Sequence, residues 1–467
     1  MKKIQLQTKV YKGLADFITP VMAYLKLRDH YSYPVLLESN DFTNKELCFS
    51  FLAMEPIISF VVQNQHIRMT TPYGQEQVPI TGTNTVVETI YDFVRSVEIN
   101  YDQPYPYING FFGHTNFEAV RHFDTLQFDE QKRVLDLPDM VYHFYRFVLV
   151  FNHYKDEFYL VENLVEGAES RMDEVRQRLM SRSYNTFPFA LVGETGSNLT
   201  DEEFRQLVRL GKHHCQIGDV FQIVFSRAYS QGFKGDEFAV YRILRSINPS
   251  PYLFYFDLGN YKIFGSSPES QMVIRDGKAS VNPIAGTYKR SGVLEEDMER
   301  AAALHRDPKE NAEHIMLVDL ARNDLGRHCS QVEVKELKKI HYYSHVMHLV
   351  SHVEGTLRAD TNPIQVFGDT FPAGTLSGAP KFKAIELIHQ HENQQRGFYG
   401  GAIGYIDVSG EMNQAILIRS FLSKDHTLHW QAGAGVVVSS VEESELQEVN
   451  NKLGALTRAL IEASKLS

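Results

Sequence analysis

From residue 33 to residue 165 the chain sets short apolar and aromatic runs between Asn, Asp, Pro and Gly. The runs at 144–151 and 157–161 are typical, and their length and β-branched or aromatic content predict strands. A polar stretch at 193–198 follows, and then the pattern changes. Thr200, Asp201, Glu202 and Glu203 form a capping box, in which a hydroxyl and a carboxylate satisfy the free amides at a helix start. Phe204, Leu207, Val208 and Leu210 recur at helical spacing behind it, and Gly218 is placed to end that helix. Residues 220–227 read as a strand with Gln222, Val224 and Ser226 on one face. Helical periodicity returns at 296–325, 377–390 and 441–463. This mixture lacks regular strand–helix–strand alternation, so an α+β architecture is expected, divided near residue 195 into parts 1–195 and 196–467. No internal repeat or low-complexity tract interrupts the pattern.

A chain of 467 residues exceeds the usual size of one hydrophobic core, which agrees with two domains or one elaborate layered domain. Its formal charge of −11 opposes a phosphate backbone, so a nucleic-acid partner is not expected. Cys48, Cys215 and Cys329 fit no disulfide framework or CxxC pair and suit a reducing cytoplasm. No apolar run reaches the ~18 residues a membrane span needs, and the first residues lack a leader's apolar stretch, so a soluble, unprocessed protein is expected.

Four segments concentrate chemistry. Between Asp307 and Asp324 acids recur on a helical pattern, with Glu310, Glu313 and His314 close enough along it to turn a carboxylate toward a hard cation. Near the C-terminus, Glu445 and Glu448 lie three apart at a helix start, with Leu446, Val449, Leu453, Leu456 and Leu460 as the buried stripe. Taken alone, both acidic sets also read as solvated faces, the second complementing the helix dipole. The third segment, 371–381, is Gly-rich and runs into a helix through Thr375, Ser377, Pro380 and Lys381. Open amides there would suit a carboxylate, and a turn capped by Ser377 explains the same residues. It lacks Walker spacing. The fourth places Gly433 and Gly435 inside an apolar strand, where glycine signals a bulge or close backbone approach. Together these describe a metal-assisted site for a small carboxylated ligand and do not choose the ligand.

In this order the segments resemble the chorismate-utilising enzymes, and most closely anthranilate synthase component I. The resemblance runs from about Leu36 to Arg458. It rests on Leu36-Leu-Glu-Ser39, Asn248-Pro-Ser-Pro-Tyr252, Gly265-Ser-Ser-Pro-Glu269, Pro283-Ile-Ala-Gly-Thr287, Glu313 to Asp324, Thr370 to Lys381, Gly397 to Tyr405 and Gln431 to Gly435. It implies a two-sheet α+β sandwich with surrounding helices, residues 1–195 being regulatory and 196–467 catalytic. Glu313 and Glu448 would hold Mg²⁺. Gly286, Thr287, Tyr399, Arg419 and the amides of Gly433, Ala434 and Gly435 would bind the substrate. Glu269 would protonate the departing C4 hydroxyl, Thr375 and His348 would line the ring, and His348 would assist the second half-reaction. The implied reaction adds ammonia to chorismate and expels pyruvate to leave anthranilate.

Gln222 stands where isochorismate-forming relatives carry a lysine base, which favours ammonia over water. Ala285 stands where one common type of aminodeoxychorismate synthase has lysine. Phe225 and Ser420 depart from a frequent proline and threonine. The resemblance further implies a tryptophan site at Ser39, Pro249, Ser250 and Pro251, and a glutamine amidotransferase partner, anthranilate synthase component II, in a hetero-oligomer. No cysteine here sits in a Gly-x-Cys-x-Gly turn that would supply that activity. The competing readings are an aminodeoxychorismate synthase large subunit and a silent tryptophan-binding regulator; intact Glu313, Thr375, Arg419 and Glu448 speak against the second.

Overall fold

A computed structural model describes residues 1–39, 48–82, 85–343 and 346–466. Its centre is an antiparallel pair of long strands, Phe49–Gln63 and Met140–Asn152, in register from Phe49↔Asn152 to Val62↔Met140. The register slips between Pro56 and Ile58, and Glu55 has φ 62°, so the pair bends there and its two halves join different sheets.

On one side the ladder continues through Val35–Ser39, Tyr252–Asp257, Tyr261–Ser267, Ser420–Lys424, Thr427–Val436, Gln222–Gly235 and Phe189–Ser197. On the other it runs through Gly110–Thr115, Ala402–Asp407, Met412–Ile416, Ser270–Arg275, Lys278–Val281 and Val346–Leu357. Phe254, Phe256, Ile263 and Leu422 of the first sheet pack with Phe112, Ile403 and Ala415 of the second in one buried cluster, so the sheets face each other. A second core joins the outside of the first sheet to helices Asp201–Gln216, Phe238–Ile247 and Glu442–Ala463. A third joins the second sheet to Val86–Arg95, Pro308–Gly326 and Pro363–Thr370. The fold is the expected α+β two-sheet sandwich with helices outside.

Strands from the two halves of the chain alternate. Val35–Ser39 pairs with Tyr252–Asp257, Gly110–Thr115 pairs with Ala402–Asp407, and Phe189–Ser197 runs straight through residue 195. The capping box forms as expected, with Thr200 and Glu203 bonded reciprocally, and Gly218 follows the helix at φ 86°.

Two helix expectations need correction. The span 296–325 is two helices, Leu294–Arg306 and Pro308–Gly326. Pro308 has no N–H to continue the first, and the Asp307 side chain instead caps the second by accepting from Lys309 and Glu310. The helix expected at 377–390 begins only at Lys381, because Gly378–Ala379 pairs as strand with Gln222 and Ile223. Ser377 donates to the Ala373 carbonyl and caps nothing.

Candidate active site

The chain passes from one sheet to the other at two neighbouring points. Ser267 ends a strand of the first sheet and Ser270 begins one of the second, with Glu269 between them. Ile416 ends a strand of the second and Ser420 begins one of the first, with Arg419 between them. Strands 261–267 and 420–424 are paired at Gly265↔Ser420, so the topology brings these two distant residues to one place.

Glu269 is buried, and desolvation pushes its carboxyl up to about 8. Thr375, on the turn Gly374–Leu376, donates to Oε1 at 3.1 Å, and Lys452 and the Ile284 backbone also draw the value down. A carboxyl in this state carries a proton at neutral pH and is equipped to donate it.

Arg419 is half-buried and has φ 51°, a region sparsely used by residues with side chains. Burial lowers its pKa against the opposing influence of Tyr399 and Glu448. Among the described residues no carboxylate pairs with its guanidinium. An arginine in this state is able to meet a carboxylate from outside the chain with two parallel hydrogen bonds.

The acidic helices converge beside these groups. Glu313 accepts from Gln222 Nε2 at 3.1 Å. Burial raises its pKa, and Glu448, on the other helix, raises it further against the Gln222 bond. Glu310 is raised by burial and then by Glu313, and Glu445 by burial with Glu448 contributing. These acids therefore crowd one another, a repulsion that a cation between them would relieve. Lys452 occupies part of that role: its ammonium is 2.7 Å from Glu448 and donates to the Gly433 carbonyl at 2.9 Å. His314 does not share the acidic face. It is buried and turns toward the neighbouring strand, 2.6 Å from the Ser351 hydroxyl.

Glycine is required in the wall of the site. Strand Thr427–Val436 lies against Gln222–Gly235 with Val224↔Gly435 and Ser226↔Gly433. A Cβ on Gly435 would collide with the Gln222 amide and lie 3.8 Å from a Glu313 oxygen; one on Gly433 would lie 3.1 Å from the Tyr399 hydroxyl. Tyr399 is buried, which raises its pKa and keeps its proton on. On the far wall, Gly286 has φ 74° and its carbonyl lies 3.1 Å from His348 Nδ1, with the Thr287 hydroxyl at 3.0 Å. A carbonyl only accepts, so Nδ1 carries the proton and Nε2 is the basic nitrogen. Burial lowers the His348 pKa to about 4, leaving the ring neutral.

Ser39 is opposite Tyr252, the residue after Pro251, so Ser39 and the segment Pro249, Ser250, Pro251 come together at one sheet end. Beside them Glu38 is buried and held by Arg245 at 2.8 and 2.9 Å and by the Tyr241 hydroxyl at 2.6 Å.

Lys381 is engaged within the chain and does not face an outside anion: its ammonium is 2.9 Å from the Asp324 carboxylate and 2.6 Å from the Thr370 carbonyl. Sequence reasoning gave no part to Lys452, although its spacing of four from Glu448 is the signal of a helical ion pair. It also missed Arg396, which is buried and bonds to Glu392, to the Leu376 carbonyl at 2.6 Å and to the Val224 carbonyl at 2.7 Å. Arg396 thereby joins the Thr375 turn to the Gln222 strand. Nothing in a lone Arg-Gly pair signals this.

The sandwich gathers a buried acid, an arginine without a carboxylate partner among the described residues and mutually repelling carboxylates around one place. The family pattern of chorismate binding enzymes matches residues 49–458, and the chain belongs to that family. Within it, the chain is similar to anthranilate synthase component 1 from Aquifex aeolicus, 35% identical over 96% of this chain and 93% of that one. The corresponding protein of Thermus thermophilus is 36% identical, with 98% of each chain covered. Among solved structures, anthranilate synthase component I from Streptococcus pneumoniae aligns with TM-score 0.78 and 30% identity over 95% of this chain and 98% of that one. A menaquinone-specific isochorismate synthase from Escherichia coli shares the fold, with TM-score 0.74 at 18% identity over 98% and 96%.

Proposed function

We propose that this chain is the chorismate-aminating component of anthranilate synthase, joining chorismate and ammonia to give anthranilate, pyruvate and water. The observation that carries this reading is Gln222. Its amide is bonded to Glu313 and is no base, so the strand wall at this position cannot itself take a proton from water. Ammonia is the stronger nucleophile and bonds to carbon before it loses a proton, whereas water needs a base.

Glu313 and Glu448 are the residues that would hold Mg²⁺. They offer only oxygen, as a hard cation prefers. Among the described residues no three His, Cys, Asp or Glu side chains group as a cation site, so an ion held by this pair would have to complete its coordination with substrate and water. When bound, it neutralises a substrate carboxylate and withdraws charge from the ring. Arg419 holds the second carboxylate, with Tyr399 and the strand at Gly433 to Gly435 closing around the enolpyruvyl arm. Glu269 gives its proton to the C4 hydroxyl, which leaves as water while ammonia bonds to C2, and the ammonium so formed returns one proton to the carboxylate. Nε2 of His348 then takes the C2 proton, the C3–O bond breaks as the ring becomes aromatic, and the released enolate takes that proton back to become pyruvate.

We assign ammonia supply to a glutamine amidotransferase, component II, in a cytoplasmic hetero-oligomer. Ser39 with Pro249, Ser250 and Pro251 is assigned to tryptophan as a feedback inhibitor. Purified chain with chorismate, ammonium and Mg²⁺ should form fluorescent anthranilate, lose that activity to EDTA and be inhibited by tryptophan. Chorismate consumption without fluorescence would refute the assignment in favour of an aminodeoxychorismate or isochorismate product.

A further inference from the structure

Resting on the tryptophan-site reading above, we propose that Ser266 is a positioning residue that connects the tryptophan region to Arg419. The strands Val35–Ser39, Tyr252–Asp257, Tyr261–Ser267 and Ser420–Lys424 lie side by side in that order. Their antiparallel registers, Ser39↔Tyr252, Tyr252↔Ser267 and Gly265↔Ser420, put Ser39, Pro251, Ser267 and Arg419 at the same end of the sheet. Ser39 is thus three strand spacings, about 14 Å, from the strand that Arg419 precedes, and Pro251 is two, about 10 Å.

Ser266 bonds in both directions across this interval. Its hydroxyl donates to the Asn248 carbonyl, and its backbone N–H donates to the Arg419 carbonyl at 3.1 Å. The residue is fully buried, so no water replaces either bond. Asn248 ends helix Phe238–Ile247, whose Tyr241 and Arg245 grip Glu38 beside Ser39. It also begins the 248–251 segment itself. Any shift of that helix end or segment therefore moves the acceptor of the Ser266 hydroxyl.

At the other end Arg419 holds a left-handed backbone conformation, φ 51°, that its neighbours must maintain. A Cβ on Gly265 would approach the Arg419 carbonyl to 2.9 Å, so the strand end is packed directly against that peptide. A ligand that prefers one position of Asn248 thereby prefers one orientation of Arg419, which is what inhibition at a distance requires.

The test is Ser266→Ala in the full chain. It deletes the hydroxyl bond to Asn248 and keeps the N–H bond to Arg419. Tryptophan binding is measured by calorimetry, and inhibition by initial rates at fixed chorismate. The proposal expects turnover and tryptophan affinity close to wild type, with the half-inhibiting tryptophan concentration raised about tenfold or more. It also expects a chorismate-site ligand to weaken tryptophan binding in wild type but not in the variant, an effect that loss of general stability does not produce. If Ser266→Ala does not fold, Ser266→Cys, with a much weaker donor, gives the same comparison. A variant that binds tryptophan and is inhibited at the wild-type concentration overturns the connection. Wild-type protein that neither binds tryptophan nor is inhibited by it overturns the site reading beneath the proposal, and the proposal with it.

Discussion

Thr375→Val tests the acid role of Glu269 through its pH dependence. The Thr375 hydroxyl donates to Glu269 Oε1 at 3.1 Å, and that bond favours the ionised carboxylate, holding the pKa lower than burial alone would set it. Valine keeps the shape and removes the donor. A hydrogen bond to a charged group is worth about 1.5 kcal/mol at the low end, and that corresponds to about one pH unit. The carboxyl, pushed up to about 8 in the native protein, should therefore titrate higher in the variant by about one unit. An essential acid is lost as pH rises through its pKa, so the alkaline limb of kcat/KM for chorismate should move upward by that amount. The assay is anthranilate fluorescence at constant free ammonia, so that titration of the co-substrate does not enter. Integrity of the fold is read from Trp430, the sole tryptophan, which is buried in the strand carrying Gly433 to Gly435. A limb that stays in place or moves downward would refute the assignment of Glu269 as the acid controlled by Thr375.

Glu269→Gln should lower turnover by about a hundredfold and also change stability with a defined sign. The folded carboxyl titrates above its ordinary value of 4.5, so native stability is intact below that value and declines as pH rises toward about 8. The Gln variant should lack that decline in urea titrations between those limits, and parallel profiles would count against the burial argument. Gly435→Ala drives a methyl into the Gln222 amide beside Glu313 and should cost about a hundredfold in turnover, with a raised Mg²⁺ requirement; near-normal kinetics would show that this wall yields. Arg419→Lys loses the two-pronged bond to a carboxylate and should raise KM for chorismate about tenfold with a smaller effect on kcat, whereas an unchanged KM would remove Arg419 from substrate binding.

Local features were readable in the chain because local chemistry determines them. The capping box at Thr200 and the apolar stripe of Leu446, Val449, Leu453, Leu456 and Leu460 depend on neighbours within a turn or two, and both form as read. Helical periodicity hid the break at Asp307, although Pro308 and an acid before it are the ingredients of a new helix start. The late start at Lys381 was not readable, because it depends on Gly378 and Ala379 pairing with Gln222 and Ile223, more than 150 residues earlier in the chain. Neither was the alternation of strands between the two halves, since partners such as Gly113 and Gly404 leave no mark on each other beyond both being glycine.

The site followed the same division. The glycines of 433–435 signalled a close approach, but only the fold identifies the Gln222 amide and the Tyr399 hydroxyl as what approaches. The acids Glu310 and Glu313 were visible as a cluster. That His314 turns away to Ser351 follows from which helix face meets the strand Val346–Leu357, a tertiary choice. Arg396 is the clearest omission: its partners Glu392, Leu376 and Val224 come from separate elements and meet only after folding.

The most direct test of the central claim, amination at C2 rather than hydration, is to incubate the purified chain with chorismate, Mg²⁺ and isotopically labelled ammonium, and to identify the products by mass spectrometry. Amination at C2 gives labelled anthranilate together with an equal amount of pyruvate. Unlabelled isochorismate, or a labelled amine that still carries its enolpyruvyl group, would contradict it.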